Sequence, residues 1–249
     1  MNTEKKQPVR CFVVDDHPLF ASVLTDVLKI DPGFHLVGVA HTGQEMLQQL
    51  RGNHVDLVVL DLQLPDISGI ELIGVIRAER LANRIVICSG LTADECIEVA
   101  FALGVDAYVQ KTASIEELLD TLRATAEGRA PMSEHVLRVL RDMIRYQRSH
   151  ASLKVRDYIV LIGLAEGKSP KVLAEELGLS ASAIYKITYR LADRFGLKNQ
   201  AEMHGLVSRL GLFVYHNRTG DFAAQVGLTV TPAATNYLEL PSRIPPLHR

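Results

Sequence analysis

A chain of 249 residues, 47% hydrophobic and 22% charged, has an ordinary globular composition and suits two modest domains better than one. Its longest apolar stretch, around Val55–Leu64, is broken by Asp56 and Asp61, which argues against a bilayer span. The polar start MNTEKKQPVR has no apolar core, so we expect no secretory signal, no membrane partner and a cytoplasmic location.

The net charge of −2 hides a division. Residues 1–124 hold 18 Asp and Glu against 10 Lys and Arg, a net of −8, whereas residues 153–211 hold 6 against 9, a net of +3. An acidic front and a basic back suit a regulatory module followed by one that binds a polyanion. The three cysteines, Cys11, Cys88 and Cys96, form no CxxC pair, and no redox or metal role is assigned to them.

From the N-terminus, strand and helix signals alternate. Apolar runs at Cys11–Val14, Leu36–Ala40, Val55–Leu60, Ile85–Cys88 and Ala107–Val109 read as strands. Amphipathic stretches at Pro18–Lys29, Gly43–Leu50, Ser68–Arg77, Ala93–Leu103 and Ser114–Glu127 read as helices. Pro18 suits the first position of its helix and Gly104 the residue after another. Five such units predict an α/β fold, a doubly wound five-stranded parallel sheet with helices on both faces.

After Gly128 no further strand is expected until the tail. Ser133–Tyr146 reads as a helical linker, followed by four helices at about 153–166, 169–177, 180–195 and 199–210. Gly167, Gly178 and Gly196 fall at helix ends, and Ser169 and Ser180 suit N-caps. This second, smaller domain is therefore all-α. Gln225–Thr231 alternates weakly, as a strand would, ahead of an irregular, proline-rich end.

The chemistry gathers at the C-terminal ends of the expected strands, where ligands bind to an open parallel sheet. Asp15 and Asp16 follow the first strand, Asp61 ends the third, Ser89 ends the fourth and Lys111 follows the fifth. Three carboxylates held together need a cation, and an all-oxygen set suits Mg2+. A carboxylate can accept a phosphoryl group as an acyl phosphate, whose oxygens a lysine and a hydroxyl would then hold. Taken singly, each residue also has an ordinary reading: an acidic pair at a helix start, a turn serine, a surface lysine.

The segments VVDDHPLF, LDLQLPDISGIEL, VICSG and GVDAYVQKTAS resemble the receiver domain of NarL/FixJ-family response regulators, over about residues 9–127. The resemblance implies a flavodoxin-like fold, Asp61 as phosphoacceptor and Asp15 and Asp16 as shapers of a Mg2+ site. Direct ligands would be chiefly Asp16 and Asp61, with the Gln63 carbonyl as a third. Ser89 and Tyr108 match the hydroxyl and aromatic switch positions, and Lys111 the family's lysine. On this reading Tyr108 turns into room that Ser89 vacates; it also reads as a half-buried strand residue. His17 matches the motif but equally suits a helix start.

Residues 153–211 resemble the LuxR-type helix-turn-helix, the stretch LAEGKSPKVLAEELGLSASAIYKITYRLADRFGLKNQAEM aligning without a gap. The alignment makes 169–177 the first helix of the motif and 180–195 the recognition helix, with a homodimer contact near Gln200–Leu210. Spacing offers Ser182, Tyr185, Lys186, Tyr189 and Arg190 to the DNA groove, and Ser180 with the helix N-terminus to a phosphate. Ile187 is assigned to the packing side. Here the chain departs from the family: Ser182 stands where Lys or Arg is common, and Tyr185 and Ile187 stand where lysine and histidine are customary.

The organisation expected is a receiver over 1–127, a helical linker over 128–152, the DNA-binding domain over 153–211 and an extension over 212–249. The function expected is a transcription regulator controlled by phosphorylation, with a sensor histidine kinase and promoter DNA as partners. It is not expected to be an enzyme acting on an external substrate. The alternatives are a receiver-linked protein-interaction module and a phosphorylation-independent regulator, each with an altered helix-turn-helix.

Overall fold

The computed structural model describes residues 7–149, 155–165 and 167–209; the expected strand at Gln225–Thr231, the tail and the edges of two expected helices lie outside them. Two compact units emerge: residues up to Asp142, save 102–104, and those from Met143 onward.

In the first unit, strand and helix alternate as β1 (Val9–Val14), α1 (Pro18–Ile30), β2 (Phe34–Ala40), α2 (Gly43–Leu50), β3 (Val55–Leu60), α3 (Gly69–Ala78), β4 (Ala82–Ser89), α4 (Asp94–Ala102), β5 (Ala107–Gln110) and α5 (Ile115–Ala126). The strands pair in parallel in the order β2-β1-β3-β4-β5. Chain order reverses between β1 and β3, the crevice where such sheets bind ligands.

Parallel strands covered on both faces must be apolar at every position, and β3 carries Val55, Leu57, Val58, Val59 and Leu60 with almost no exposure. One face, through Cys11, Val13, Val59, Val86, Cys88 and Val109, packs on Leu24 and Leu28 of α1 and Leu118, Leu119 and Leu122 of α5. Each large side chain so buried contributes about 1.5–3 kcal/mol.

Helix starts are chemically marked. Pro18 opens α1; Thr42 caps α2 by accepting from the Glu45 N–H; Ser68 and Glu71 form a capping box on α3; Ser114 caps α5 through the Glu117 N–H. A further helix, α6 (Glu134–Ser149), matches the expected linker helix, and its first half, to Asp142, belongs to the first unit.

The second unit contains α7 (Val155–Ala165), α8 (Pro170–Glu176), α9 (Ala181–Phe195) and α10 (Gln200–Arg209). Ser169 and Ser180 cap α8 and α9 by accepting from Val172 and Ala183 N–H groups. Gly178 turns the chain between them at a φ of 62°, a left-handed conformation that favours glycine. Gly163 lets α7 and α8 approach closely: a Cβ there would stand 2.4 Å from Leu173 Cδ2. The core joins Tyr158, Leu161, Leu173, Ile184, Ile187, Leu191 and Leu206.

Candidate functional site

Hydrogen bonds between the C-terminal ends of the strands set the positions of the polar cluster. Asp15 N–H donates to the Ala40 carbonyl, Asp61 N–H to Val14 and Lys111 N–H to Ser89. Residues up to 96 positions apart thereby share one pocket.

Asp61 is 1% exposed. Its Oδ2 accepts from Lys111 Nζ at 2.7 Å; its Oδ1 accepts from Ser89 Oγ at 2.8 Å and from the Gln63 N–H at 3.1 Å. Lys111 Nζ also donates to Asp15 at 2.9 Å and lies 5.1 Å from the Phe20 ring centre, within cation–π range. Burial disfavours the Lys111 ammonium, but its bonds to Asp15 and Asp61 outweigh this and hold its pKa above the usual lysine value. Burial, only partly offset by Lys111 and the His17 N–H, raises Asp15 above the usual carboxylate value.

Ligand atoms of Asp15, Asp16, His17 and Asp61 all lie within 4.8 Å of one another. Asp16 Oδ1 is buried without a hydrogen bond, although His17 Nδ1 stands 2.9 Å away; an ion pair forms there only when that ring is protonated. Three carboxylates against one ammonium leave a formal charge of −2 if the imidazole is neutral. That charge, the orphaned oxygen and the hard oxygen donors fit a divalent cation. The Gln63 side chain is exposed.

Ser89 is fully buried, and its Oγ accepts from the Leu91 N–H at 3.4 Å. The carbonyl of the same Leu91 accepts from Tyr108 Oη at 2.6 Å. Tyr108 is 3% exposed, deeper than the half-buried strand residue the sequence suggests, and burial raises its hydroxyl pKa. A continuous path thus runs Asp61–Ser89–Leu91–Tyr108. Cys88 lies close to the pocket, but burial, with the Asp15 charge, pushes its thiol up to about 12; Cys11, raised by burial, is likewise at about 12, and Cys96 is buried. None of these thiols is poised to react.

Three supporting residues escaped the sequence reading. Gly69 presses on the end of β3: a Cβ there would stand 2.4 Å from the Asp61 carbonyl oxygen. Asp66 accepts from the Gly43 and Gln44 N–H groups at 2.7 Å, and His41 Nδ1 lies 2.8 Å from the Asp15 carbonyl. Gly69 and Asp66 both lie within the DISGIEL motif, which was the available signal.

In the second unit, Ser182, Tyr185, Lys186, Tyr189 and Arg190 line one face of α9 around an open hollow of about 490 Å3. Tyr185 and Tyr189 are 62% and 74% exposed, whereas Ile187 is buried, on the packing side as its spacing predicts. Ser180 Oγ is engaged as the N-cap. Arg190 Nη2 donates at 2.9 Å to Asp157 of α7, which is fully buried, so part of this guanidinium points into the unit.

Among known families, the response regulator receiver domain matches residues 11–123. The nitrate/nitrite response regulator protein NarP of Escherichia coli K12 is 31% identical, over 71% of this chain and 84% of its own. NarL of the same strain is 27% identical, over 79% and 94%. A structure of RcsB from Salmonella enterica serovar Typhimurium, bound to promoter rprA with the phosphomimetic BeF3−, superposes with a TM-score of 0.57 at 20% identity, covering 81% of this chain and 98% of that one; at that identity the likeness concerns the fold alone. No helix among the described residues is long and apolar enough to cross a membrane.

Proposed function

Because this chain belongs to the NarL/FixJ family of response regulators, and so is a phosphorylation-controlled transcription regulator, we propose that the controlling phosphoryl group is carried by Asp61 and governs binding to promoter DNA. The observation that carries this reading is the buried Asp61 carboxylate, held at once by the Lys111 ammonium and the Ser89 hydroxyl. An Asp61 oxygen attacks phosphorus while the bond to the donor, a sensor kinase phosphohistidine or a small acyl phosphate, breaks. Lys111, kept charged by its carboxylate neighbours, and Ser89 then bind the transferred phosphoryl oxygens.

Asp16 and Asp61, with Asp15 and the Gln63 carbonyl, would hold Mg2+, whose charge when bound screens the nucleophile from the incoming anion. Ser89, drawn toward the phosphoryl group, takes Leu91 with it and removes the partner of the Tyr108 hydroxyl, freeing that ring to turn. On this reading residues 1–127 receive the signal, 128–152 link, and 153–211 bind DNA through Ser180, Ser182, Tyr185, Lys186, Tyr189 and Arg190. Ser180 would act through the N-terminus of α9. The protein works in the cytoplasm as a homodimer joined through α10; residues 212–249 have no assigned role.

The test is phosphorylation of the purified chain by acetyl phosphate with Mg2+. Wild type gains one base-labile phosphoryl group and Asp61→Asn gains none. Full labelling of Asp61→Asn overturns the assignment.

A further inference from the structure

A recognition helix that binds mainly by charge presents several cations, yet this one offers an unusual set. Of the five side chains around the hollow, two are exposed tyrosines and one is an exposed serine. Lys186 is an exposed cation, while the second cation, Arg190, is drawn to the buried Asp157. Tyr185 and Tyr189 lie four residues apart, hence on one stripe of α9, separated by about 6 Å along its axis.

We infer that Tyr185 and Tyr189 read thymine methyl groups in the major groove, an inference that rests on the reading of α8 and α9 as a DNA-binding helix-turn-helix. The thymine methyl is the apolar group that distinguishes one base edge from the other three, and an exposed ring is the apolar surface to meet it. Ser182, nearer the helix N-terminus, leaves room for a base edge, and Lys186, flanking the rings around the same hollow, serves the phosphates. The same lysine, and the basic charge of this part of the chain, favour DNA over a protein partner: no other apolar side chain joins the two rings around the hollow. A spacing of about 6 Å places the two methyls roughly two base-pair steps apart, at about 3.4 Å per step.

The test begins with duplexes selected from a random pool by the full-length protein, phosphorylated and unphosphorylated. Each thymine of the selected site is then replaced singly by deoxyuridine, which removes only the methyl. Wild type is expected to bind about four-fold more weakly at each of two positions per half-site, the loss for one methyl taken out of contact. Tyr185→Ala and Tyr189→Ala each become insensitive to uracil at one of those positions, whereas Tyr185→Phe and Tyr189→Phe retain the sensitivity. Both rings are exposed, so circular dichroism and melting temperature stay unchanged and a folding defect is separable. A selected site at which uracil costs nothing, or alanine variants that keep the wild-type sensitivity, overturns the inference while leaving DNA binding intact. Failure to select any sequence in either state overturns the DNA reading beneath it.

Discussion

Lys186 and Arg190 stand four residues apart on α9 and look interchangeable by spacing, but their surroundings separate them. Lys186 is exposed, whereas Arg190 Nη2 donates to a carboxylate that no solvent reaches. Removing one partner of such a pair typically costs on the order of 3 kcal/mol, because charge is left buried. Arg190→Ala should therefore lower the melting temperature of the second unit in a calorimetric scan. Lys186→Ala should leave it unchanged and instead flatten the salt dependence of DNA binding by about one phosphate contact. If Arg190→Ala melts like wild type, the pairing with Asp157 carries no stability. The sequence pointed to the face itself: a period near 3.6 put Ile187 inward and the tyrosines outward. It did not reveal the tie to Asp157, since that partner lies 33 residues earlier on another helix. Tyr108 teaches the same lesson: its hydroxyl is held by the Leu91 carbonyl across the loop, a partner 17 residues away that its own strand does not announce.

At the level of elements, α6 is where spacing revealed a helix but not its partner. Val136 and Val139 are buried, while His135 Nε2 stands 2.7 Å from Asp94 Oδ1 and Arg138 donates to both Asp94 oxygens. Gln110 of β5 meets the other His135 ring nitrogen at 3.3 Å. The first half of the expected linker is thus fastened to α4 and to β5, the strand that carries Tyr108. Exposed ion pairs of this kind add little to global stability, because water screens them. Asp94→Asn should accordingly leave the global melting temperature nearly unchanged but speed amide hydrogen exchange in α6. Hydrogen bonding to His135, with Arg138, holds the Asp94 pKa below its usual value. Its contribution is complete above the ordinary carboxylate range and is lost as pH falls through that depressed value. Exchange in α6 should therefore be insensitive to Asp94→Asn at a pH below it; the same difference at every pH would exclude this origin.

For the whole molecule, the alternation of strands and helices made the sheet legible from the chain alone, and strand-end positions alone assign Asp15, Asp61, Ser89 and Lys111 to one edge. What remained hidden was the close fit around them: Gly69 against the Asp61 backbone and Leu91 shared between Ser89 and Tyr108. That sharing makes a prediction for the full chain. Ser89→Ala should still take up phosphate from acetyl phosphate, since Asp61 and Lys111 remain, yet phosphorylation should no longer raise its affinity for promoter DNA in a binding titration. A phosphorylation response equal to wild type would remove Ser89 from the transmission path.

The pocket has an order of completion as well as a shape. Lys111 follows β5, the last strand and an edge of the sheet, and stands 50 residues after the carboxylate it steadies. A growing polypeptide that has reached Leu60 has made the strand leading to Asp61, but not the ammonium, the hydroxyl or the two strands, β4 and β5, that deliver them. On the proposed reading, the ammonium that steadies Asp61 reaches it only once the last strand has joined the sheet.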